Sequence, residues 1–414
     1  MSRLVETVAP ARLGTAFRWL MASSWTSNLG DGISIAAGPL LVASLTQDPF
    51  LVALAATLQW LPPLLFAPLA GAITDRLDRR AIVVRVDLFR TVVLTALAAT
   101  VWSGHVSIGL VLATLFVVGT AEVFADNASA TLLPMLVHRD DLATGNSRLQ
   151  TGFITLNQLA GPPIGAALFA AAHVLPFGVQ AITVALGALL VTRVVLPPVD
   201  RGPAPSTHVR HDIAEGFRWV RHHAAVRTLV VTIFTFNITF GAAWSVLVLY
   251  ASQRLGLGAV GFGLLTTLSA LGGLVGTVSY GWITRRVSLA DLMRIGLVIE
   301  TLTHLALALT TTPWVALVIF FVFGAHAFVW GTTSITIRQR AVPTALQGRV
   351  GAVNLVGVYG GLVIGSTIGG ALARHWGVTA PFWFAFVGSA LFVVLIWRQL
   401  RHVAHTDAGP GPTS

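Results

Sequence analysis

The feature that most limits the fold of this chain is a series of twelve long apolar blocks. They lie at about 17–45, 50–72, 82–103, 107–137, 149–172, 175–196, 227–251, 259–283, 289–310, 313–337, 349–373 and 377–397. Each block reaches the length of about 20 residues that crosses the hydrocarbon core of a bilayer as a helix. Because no water satisfies backbone polar groups there, such segments are expected to be helical. The sequence therefore predicts an all-α integral membrane protein with twelve transmembrane helices.

The scarcity of charge supports a membrane location. Asp, Glu, Lys and Arg make up 10% of the residues, against about 25% in an average soluble protein. The chain contains no Cys, which excludes disulfides, thiolate metal sites and cysteine nucleophiles. It also contains no Lys, which excludes a phosphate-binding loop of the Walker type. We therefore expect no cofactor, no bound metal and no ATP site.

The basic residues predict the orientation of the helices. All 26 are Arg, and with a cytoplasmic N-terminus 24 of them lie in cytoplasmic segments, leaving Arg254 and Arg374 on the other side. Such an asymmetry follows the positive-inside rule. We expect both termini in the cytoplasm and a multi-pass protein of a bacterial cell membrane. The net charge of +10 is then explained by topology, and no nucleic-acid partner is expected. The first block lacks the features of a removable signal peptide and is interpreted as the first span.

The chain is predicted to divide into four regions. Residues 1–196 form an N-terminal six-helix bundle, 197–226 a cytoplasmic linker, 227–400 a C-terminal six-helix bundle and 401–414 a disordered tail. Within the linker, Ile213, Phe217 and Val220 recur at helical spacing between Asp212 and His223. This spacing predicts a short amphipathic helix on the membrane surface. A polar linker helix without a membrane role is the alternative.

The two bundles are related as an internal repeat. Gly161-Pro-Pro-Ile-Gly165 in the fifth block corresponds to Gly365-Ser-Thr-Ile-Gly369 in the eleventh. Asn28 and Gly32 in the first block correspond in the same order to Asn237 and Gly241 in the seventh, and Gly71 and Pro134 to Gly281 and Pro343. The series indicates two sets of six spans copied in the same orientation, which is typical of transporters that work by alternating access.

A motif after the second block identifies a family resemblance. Gly71-Ala-Ile-Thr-Asp75-Arg76-Leu-Asp78-Arg79-Arg80 resembles the signature of the major facilitator superfamily. The Asp-Arg-Arg extension, Asp87 and Arg90 at the next helix start, and Gly348-Arg349-Val350 are similar to its exporter branch of siderophore, macrolide and multidrug efflux proteins. The resemblance covers all twelve blocks. It implies a conformational latch between spans 2 and 11, formed by Gly71, Asp75, Arg76, Arg79, Arg80, Asp87 and Arg90. The alternative is that these arginines only fix topology.

Ionisable residues inside the blocks are candidates for proton coupling, because each costs about 2.5–3.5 kcal/mol at a helix centre. Asp31 lies in the first block, and Glu122 and Asp126 lie four residues apart on one face of the fourth. Two carboxylates at this spacing repel each other, and proton binding relieves the repulsion. For Asp31 the alternative is a structural role, capping a helix broken around Gly30 and Gly32. For Glu122 the alternative is likewise a structural role, and for Asp126 it is a position at the inner membrane interface. A second four-residue pair, Glu300 and His304 in the ninth block, is expected to be a hydrogen-bonded structural pair that holds this span to a neighbour.

The resemblance implies that spans 1, 4, 7 and 10 line a central cavity. Possible substrate contacts there are Trp25, Asn28, Asn237, Trp244, His326 and Trp330. The glycines and proline of the repeated motif, Gly161, Pro162, Gly165, Gly365 and Gly369, are expected to serve helix packing. Drug antiporters of this superfamily usually carry an Arg in span 4, which this chain lacks. Arg90 in the third span is the nearest replacement for that cation.

These observations together predict a secondary transporter and not an enzyme. The expected activity is export of a small amphiphilic molecule, such as a drug or siderophore, by proton antiport. The expected partners are that substrate, protons and the lipid bilayer, and the protein is expected to be a monomer. A facilitator or importer of a small molecule or lipid with the same fold is the alternative.

Overall fold

The computed structural model describes residues 10–74, 76–196 and 209–400, in which the regular secondary structure is helical and no strand occurs. Helices lie in every predicted block. Their bounds are α1 Gly14–Leu45, α2 Pro49–Thr74, α3 Arg79–Trp102, α4 Ile108–Ala130, α5 Leu142–Gly152, α6 Gly161–Ala171, α7 Leu175–Val191, α8 Val209–His222, α9 Ala224–Trp244, α10 Ala259–Thr284, α11 Leu289–Leu309, α12 Pro313–Ala341, α13 Gln347–Trp376 and α14 Ala380–Ile396.

Eight helical segments of the described ranges are long and apolar enough to cross a membrane. Two further helices, α7 and α14, are apolar but have 17 residues each. The helix α3 carries five charged residues, and the fifth block is divided between α5 and α6. The all-helical membrane fold is confirmed, whereas the twelve-span count and the cytoplasmic termini stay predictions.

Two compact units make up the described residues. The first contains the chain up to Thr46 and the chain from Leu65, and the second contains Gln47–Leu64 and the chain from α8 onward. The predicted division into bundles at 196 and 227 stays a prediction. The proline-rich part of the linker and the C-terminal tail lie outside the described residues, as does Asp75.

Equivalent helices pack together within each unit. In the first unit α1 packs against α6 and α7, and α3 against α4 and α7. In the second unit α9 packs against α13 and α14, and α11 against α12 and α14. These pairs occupy corresponding positions in the predicted repeat.

The glycines of the repeated motif explain how closely the helices approach. A Cβ added at Gly165 would lie 2.2 Å from the carbonyl oxygen of Ile33, and one added at Gly369 would lie 2.2 Å from that of Ala242. Ile33 and Ala242 each follow a glycine that the repeat aligns. The two contacts are therefore equivalent, and this geometry supports the expected packing role of these glycines.

The fifth block departs from a simple helix at Pro162. Residues Phe153–Ala160 form a π-helix between α5 and α6, and Pro162 and Pro163 follow directly. Proline has no amide hydrogen, so two donors to the preceding turn are missing. The wider π-helical turn places the backbone of Asn157 against α1, where a Cβ at Gly32 would lie 2.4 Å from the Asn157 carbonyl oxygen.

The helix α8 lies in the predicted linker region, belongs to the second unit and packs against α13. Val220 is buried in an apolar cluster with Val226, Val350 and Val353. An ion pair joins the side chains of Glu215 and Arg349 at 3.0 Å. Phe217 on the same helix stays exposed. Part of the apolar face is thus covered by protein, while association of the helix with a membrane stays a prediction.

Candidate functional site

The first unit contains a buried group of charges centred on Arg90. The Arg90 guanidinium bonds to Asp31 through Nη2 and to Asp87 Oδ1 through Nη1 at 3.0 Å. The same Nη2 lies 3.7 Å from Oε2 of Glu122. We call Asp31, Asp87, Arg90, Glu122 and Asp126 the acidic cluster. It contains four carboxyl groups and one cation.

Three helices bring these residues together. Asp31 lies in the middle of α1, Asp87 and Arg90 lie three residues apart on α3, and Glu122 lies on α4. Residues three or four apart occupy one helix face, so α3 directs both side chains into the bundle. Packing of α3 against α4, and of both α1 and α3 against α7, then brings the three helices around one guanidinium.

The helix α7 contributes a further polar side chain, that of Gln180, to the surroundings of the cluster. The buried side chain of Gln180 places Nε2 at 3.5 Å from Oδ1 of Asp31. A Cβ added at Gly30 would lie 2.2 Å from Oγ1 of Thr183. The glycine beside Asp31 therefore lets α7 approach close enough for Gln180 to reach the carboxylate.

Exposure increases from one side of the cluster to the other. The side chains of Arg90 and Asp31 are 2% and 9% exposed, whereas that of Glu122 is 35% exposed. Asp126, one turn further along α4, is exposed. The cluster thus connects an accessible pair of acids to a buried ion pair.

The structure resolves two questions that the sequence left open. The helix α1 runs unbroken through Gly30 and Gly32, so Asp31 caps no helix, and the capping alternative is wrong. Arg90 lies close to Glu122, so a cation from the third block does reach the acids of the fourth. Gln180 was missed by sequence reasoning. Its one signal was a polar amide inside an apolar block.

The arginines of the loop motif after α2 bond to backbone carbonyls of the first unit. A Cβ added at Gly71 would meet open space among the described residues. Arg79 Nη1 donates to the Thr131 carbonyl at 3.3 Å, and Arg80 Nη1 donates to the Val194 carbonyl at 2.8 Å. Both carbonyls follow the C-terminal end of a helix, where cations are favoured.

The remaining residues of the predicted latch are divided between different environments. Asp87 and Arg90 were grouped with the loop motif, but they are buried and bond to each other, and Arg90 also bonds to Asp31. Arg76 is exposed, and Asp75 lies outside the described residues. The latch itself stays a prediction.

The predicted substrate contacts of the first unit bond within that unit. Trp25 Nε1 donates to the Arg148 carbonyl at 3.1 Å, and Asn28 Nδ2 donates to the Ser24 carbonyl at 2.7 Å. These bonds hold both side chains against helices of their own bundle. Contact of Trp25 and Asn28 with a substrate stays a prediction.

In the second unit the aromatic candidates pack among other rings. Trp244 stacks on Phe240 and contacts Phe323, each with ring centroids 4.5 Å apart. Asn237 Nδ2 donates to the Ile233 carbonyl at 2.7 Å. Trp330 packs against the apolar cluster around Met293, and its indole nitrogen has no hydrogen-bond partner among the described residues.

The predicted pairing of Glu300 with His304 is wrong. Neither ring nitrogen of His304 has a hydrogen-bond partner among the described residues, and Glu300 Oε2 lies instead 3.9 Å from Nε2 of His326. His326 on α12 therefore has a carboxylate neighbour on α11. The four-residue spacing suggested a pair on one helix, but the neighbouring helix supplies the closer partner.

Comparison with known proteins agrees with this architecture. Residues 5–410 match the family described as transmembrane secretion effector, a branch of the major facilitator superfamily. The chain is 28% identical over 391 residues to the multidrug efflux pump Tap of Mycolicibacterium fortuitum, covering 88% of this chain and 90% of that protein. It is 26% identical over 396 residues to multidrug resistance protein 1 of Bacillus subtilis, covering 93% and 96%.

A solved structure shows the same fold. The crystal structure of the nucleoside transporter NupG superimposes with a TM-score of 0.72 at 14% identity, covering 94% of this chain and 99% of that chain. At this identity the likeness concerns the fold alone. The family match also confirms the prediction of a transporter and not an enzyme. The chain belongs to the transmembrane secretion effector family of the major facilitator superfamily.

Proposed function

We propose that this protein exports a small amphiphilic organic molecule, such as a drug, siderophore or similar natural product, across the bacterial cell membrane. Transport is driven by proton antiport with alternating access. The observation that carries the proposal is the acidic cluster, in which the carboxyl groups of Asp31, Asp87 and Glu122 lie around the single guanidinium of Arg90.

The charge balance of the cluster favours proton exchange. One guanidinium neutralises one carboxylate, while Asp31 and Asp87 both bond to it and Glu122 lies 3.7 Å away. An unneutralised charge inside a membrane protein is costly. A bound proton removes that charge without moving a helix. The cluster therefore has a physical reason to hold protons and to release them when its surroundings change.

The exposure of the acids assigns different roles to them. Glu122 and Asp126 are accessible, so in the proposal they exchange protons with water. Asp31 and Arg90 are buried, so their ion pair senses the protonation of Glu122. When Glu122 is protonated, Arg90 bonds only to Asp31 and Asp87. When Glu122 is ionised, its carboxylate competes with the two aspartates for Arg90. This competition couples proton occupancy to the positions of α1, α3 and α4.

The driving force is sufficient for export. One proton crossing about 150 mV releases roughly 3.5 kcal/mol. Since about 1.4 kcal/mol corresponds to a factor of ten, this supports roughly a 300-fold gradient of a neutral solute. The relatives named as multidrug efflux pump and multidrug resistance protein support the outward direction. The rival is a facilitator or importer with the same fold.

Inverted membrane vesicles test the proposal with ethidium and tetracycline as probes. A pH gradient, acidic inside, should drive accumulation of at least one probe, and protonophore should abolish it. Glu122→Gln should remove gradient-driven accumulation while leaving downhill exchange of the probe. Asp140→Asn, which changes an exposed acid of the same unit, is the matched control and should transport normally.

Three results would contradict the proposal. Accumulation that is unchanged in Glu122→Gln and insensitive to protonophore excludes proton coupling through the cluster. If the parent protein only equilibrates the probe across the membrane, whether or not a gradient is present, the facilitator is favoured. If the parent protein moves the probe out of inverted vesicles against its gradient, the importer is favoured.

A further inference from the structure

The second unit contains a separate group of buried titratable side chains. Glu300 and His304 lie on α11 and His326 lies on α12. His304 and His326 are buried, and Glu300 is largely so. The distance of 3.9 Å between His326 Nε2 and Glu300 Oε2 exceeds that of a hydrogen bond. We call these three residues the histidine cluster.

The ring nitrogens of this cluster are unsatisfied. Both nitrogens of His304 and Nδ1 of His326 are buried without a hydrogen-bond partner among the described residues. A neutral imidazole carries one donor and one acceptor, and leaving such a group unpaired costs about 1–3 kcal/mol. Buried polar groups of native proteins are nearly always paired. The cluster is therefore built from groups that a purely apolar packing role would not select.

Aromatic rings pack against the two histidines. Trp244 lies edge-on to His304 with ring centroids 6.0 Å apart, and Phe323 lies edge-on to His326 at 5.2 Å. No ionisable residue occurs on α14. The other ionisable groups on α11, α12 and the helices packed against them are Arg227 on α9, Tyr280 on α10, Asp291 and Arg294 on α11, and Arg338 and Arg340 on α12. Tyr250 and Arg254, which follow α9, also donate to backbone carbonyls at the C-terminal end of α11.

The following groups either bond to other partners or lie far from the histidine cluster. Arg294 donates to the Trp397 carbonyl at 2.9 Å and lies 3.7 Å from Asp291. The Tyr280 hydroxyl contacts Thr333, two turns from His326. Arg227 donates to the Arg221 carbonyl, and Arg338 lies twelve residues along α12, about 18 Å from His326. Among the described residues, the ionisable group within ion-pair range of the Glu300 carboxylate is therefore His326.

We propose that Glu300, His304 and His326 form a proton-binding site within the second unit, distinct from the acidic cluster of the first. A proton from water binds Nε2 of His326, on the side that faces Oε2 of Glu300. The neutral ring and the carboxylate then become a hydrogen-bonded ion pair, and the gap of 3.9 Å closes. His304 lies on the same helix as Glu300, one turn away. Its ring, which has no hydrogen-bond partner among the described residues, influences the proton affinity of this pair.

Histidine signals measured on the full chain test the site without any transport. The protein is labelled at histidine with ¹³C and ¹⁵N, placed in lipid nanodiscs and followed by NMR from about pH 5 to 9, the range that brackets an ordinary histidine. One signal should disappear in His326→Gln, and in the parent that signal should titrate within this range. Glu300→Gln should displace the midpoint of that signal, because an adjacent carboxylate is removed.

Matched variants separate this site from the first. His105→Asn removes an exposed histidine and should leave the His326 titration in place. Glu122→Gln should abolish gradient-driven efflux while leaving that titration unchanged, so either proposal can fail without the other. A His326 signal that stays constant over the whole pH range, or a midpoint that is the same in Glu300→Gln, overturns the second site. Should His326→Gln fail to fold, His326→Asn identifies the signal.

Discussion

Replacing Arg90 by Met provides the most direct test of the acidic cluster, because methionine keeps length and apolar packing but removes the charge. Asp31 and Asp87, whose side chains are 9% and 3% exposed, then lose the cation to which both are bonded. Removing one partner of a buried ion pair costs about 3–5 kcal/mol in free energy of unfolding. For a unit of this size, each kcal/mol corresponds to about 2–4 °C in melting temperature, so we expect a fall of roughly 6–20 °C.

The assay is thermal unfolding of the detergent-solubilised protein, followed by tryptophan fluorescence. Arg85→Met on the same helix is the matched control, since Arg85 is exposed and surface substitutions change stability by at most about 0.5 kcal/mol. The double variant Arg90→Met with Asp31→Asn should recover part of the loss, because one unpaired carboxylate is also removed. Equal melting temperatures for Arg90→Met and Arg85→Met would refute a stabilising buried cluster.

Two further substitutions test the packing of the helices. Gly369→Ala places a Cβ 2.2 Å from the Ala242 carbonyl oxygen. This variant should lower the melting temperature, because overpacking costs about 1–3 kcal/mol. Gly351→Ala on the same helix places its Cβ in open space and should leave the melting temperature unchanged. Trp25→Phe should cost about 1 kcal/mol through loss of the bond to the Arg148 carbonyl, measured by the same unfolding assay. A loss of probe affinity at unchanged stability would instead assign Trp25 to the substrate.

The elements that the sequence predicted correctly are those with a local or periodic cause. Apolar blocks long enough to span a bilayer became helices because a membrane leaves the backbone no other partner. The linker helix α8 followed from the spacing of Ile213, Phe217 and Val220. The repeat predicted equivalent positions for Gly165 and Gly369, and their contacts with α1 and α9 are equivalent.

The side chains that face one another were decided by the tertiary structure alone. Four-residue spacing placed Glu300 beside His304, but the approach of α12 makes His326 the nearer partner. Asp31 looked like a residue that could cap a broken helix, but packing of α3 against α7 and of α7 against α1 brings Arg90 to it. Sequence spacing fixes which residues share a face of one helix. The rotation and depth of a neighbouring helix depend on the packing of many side chains at once, so contacts between helices are set only when the whole bundle has formed.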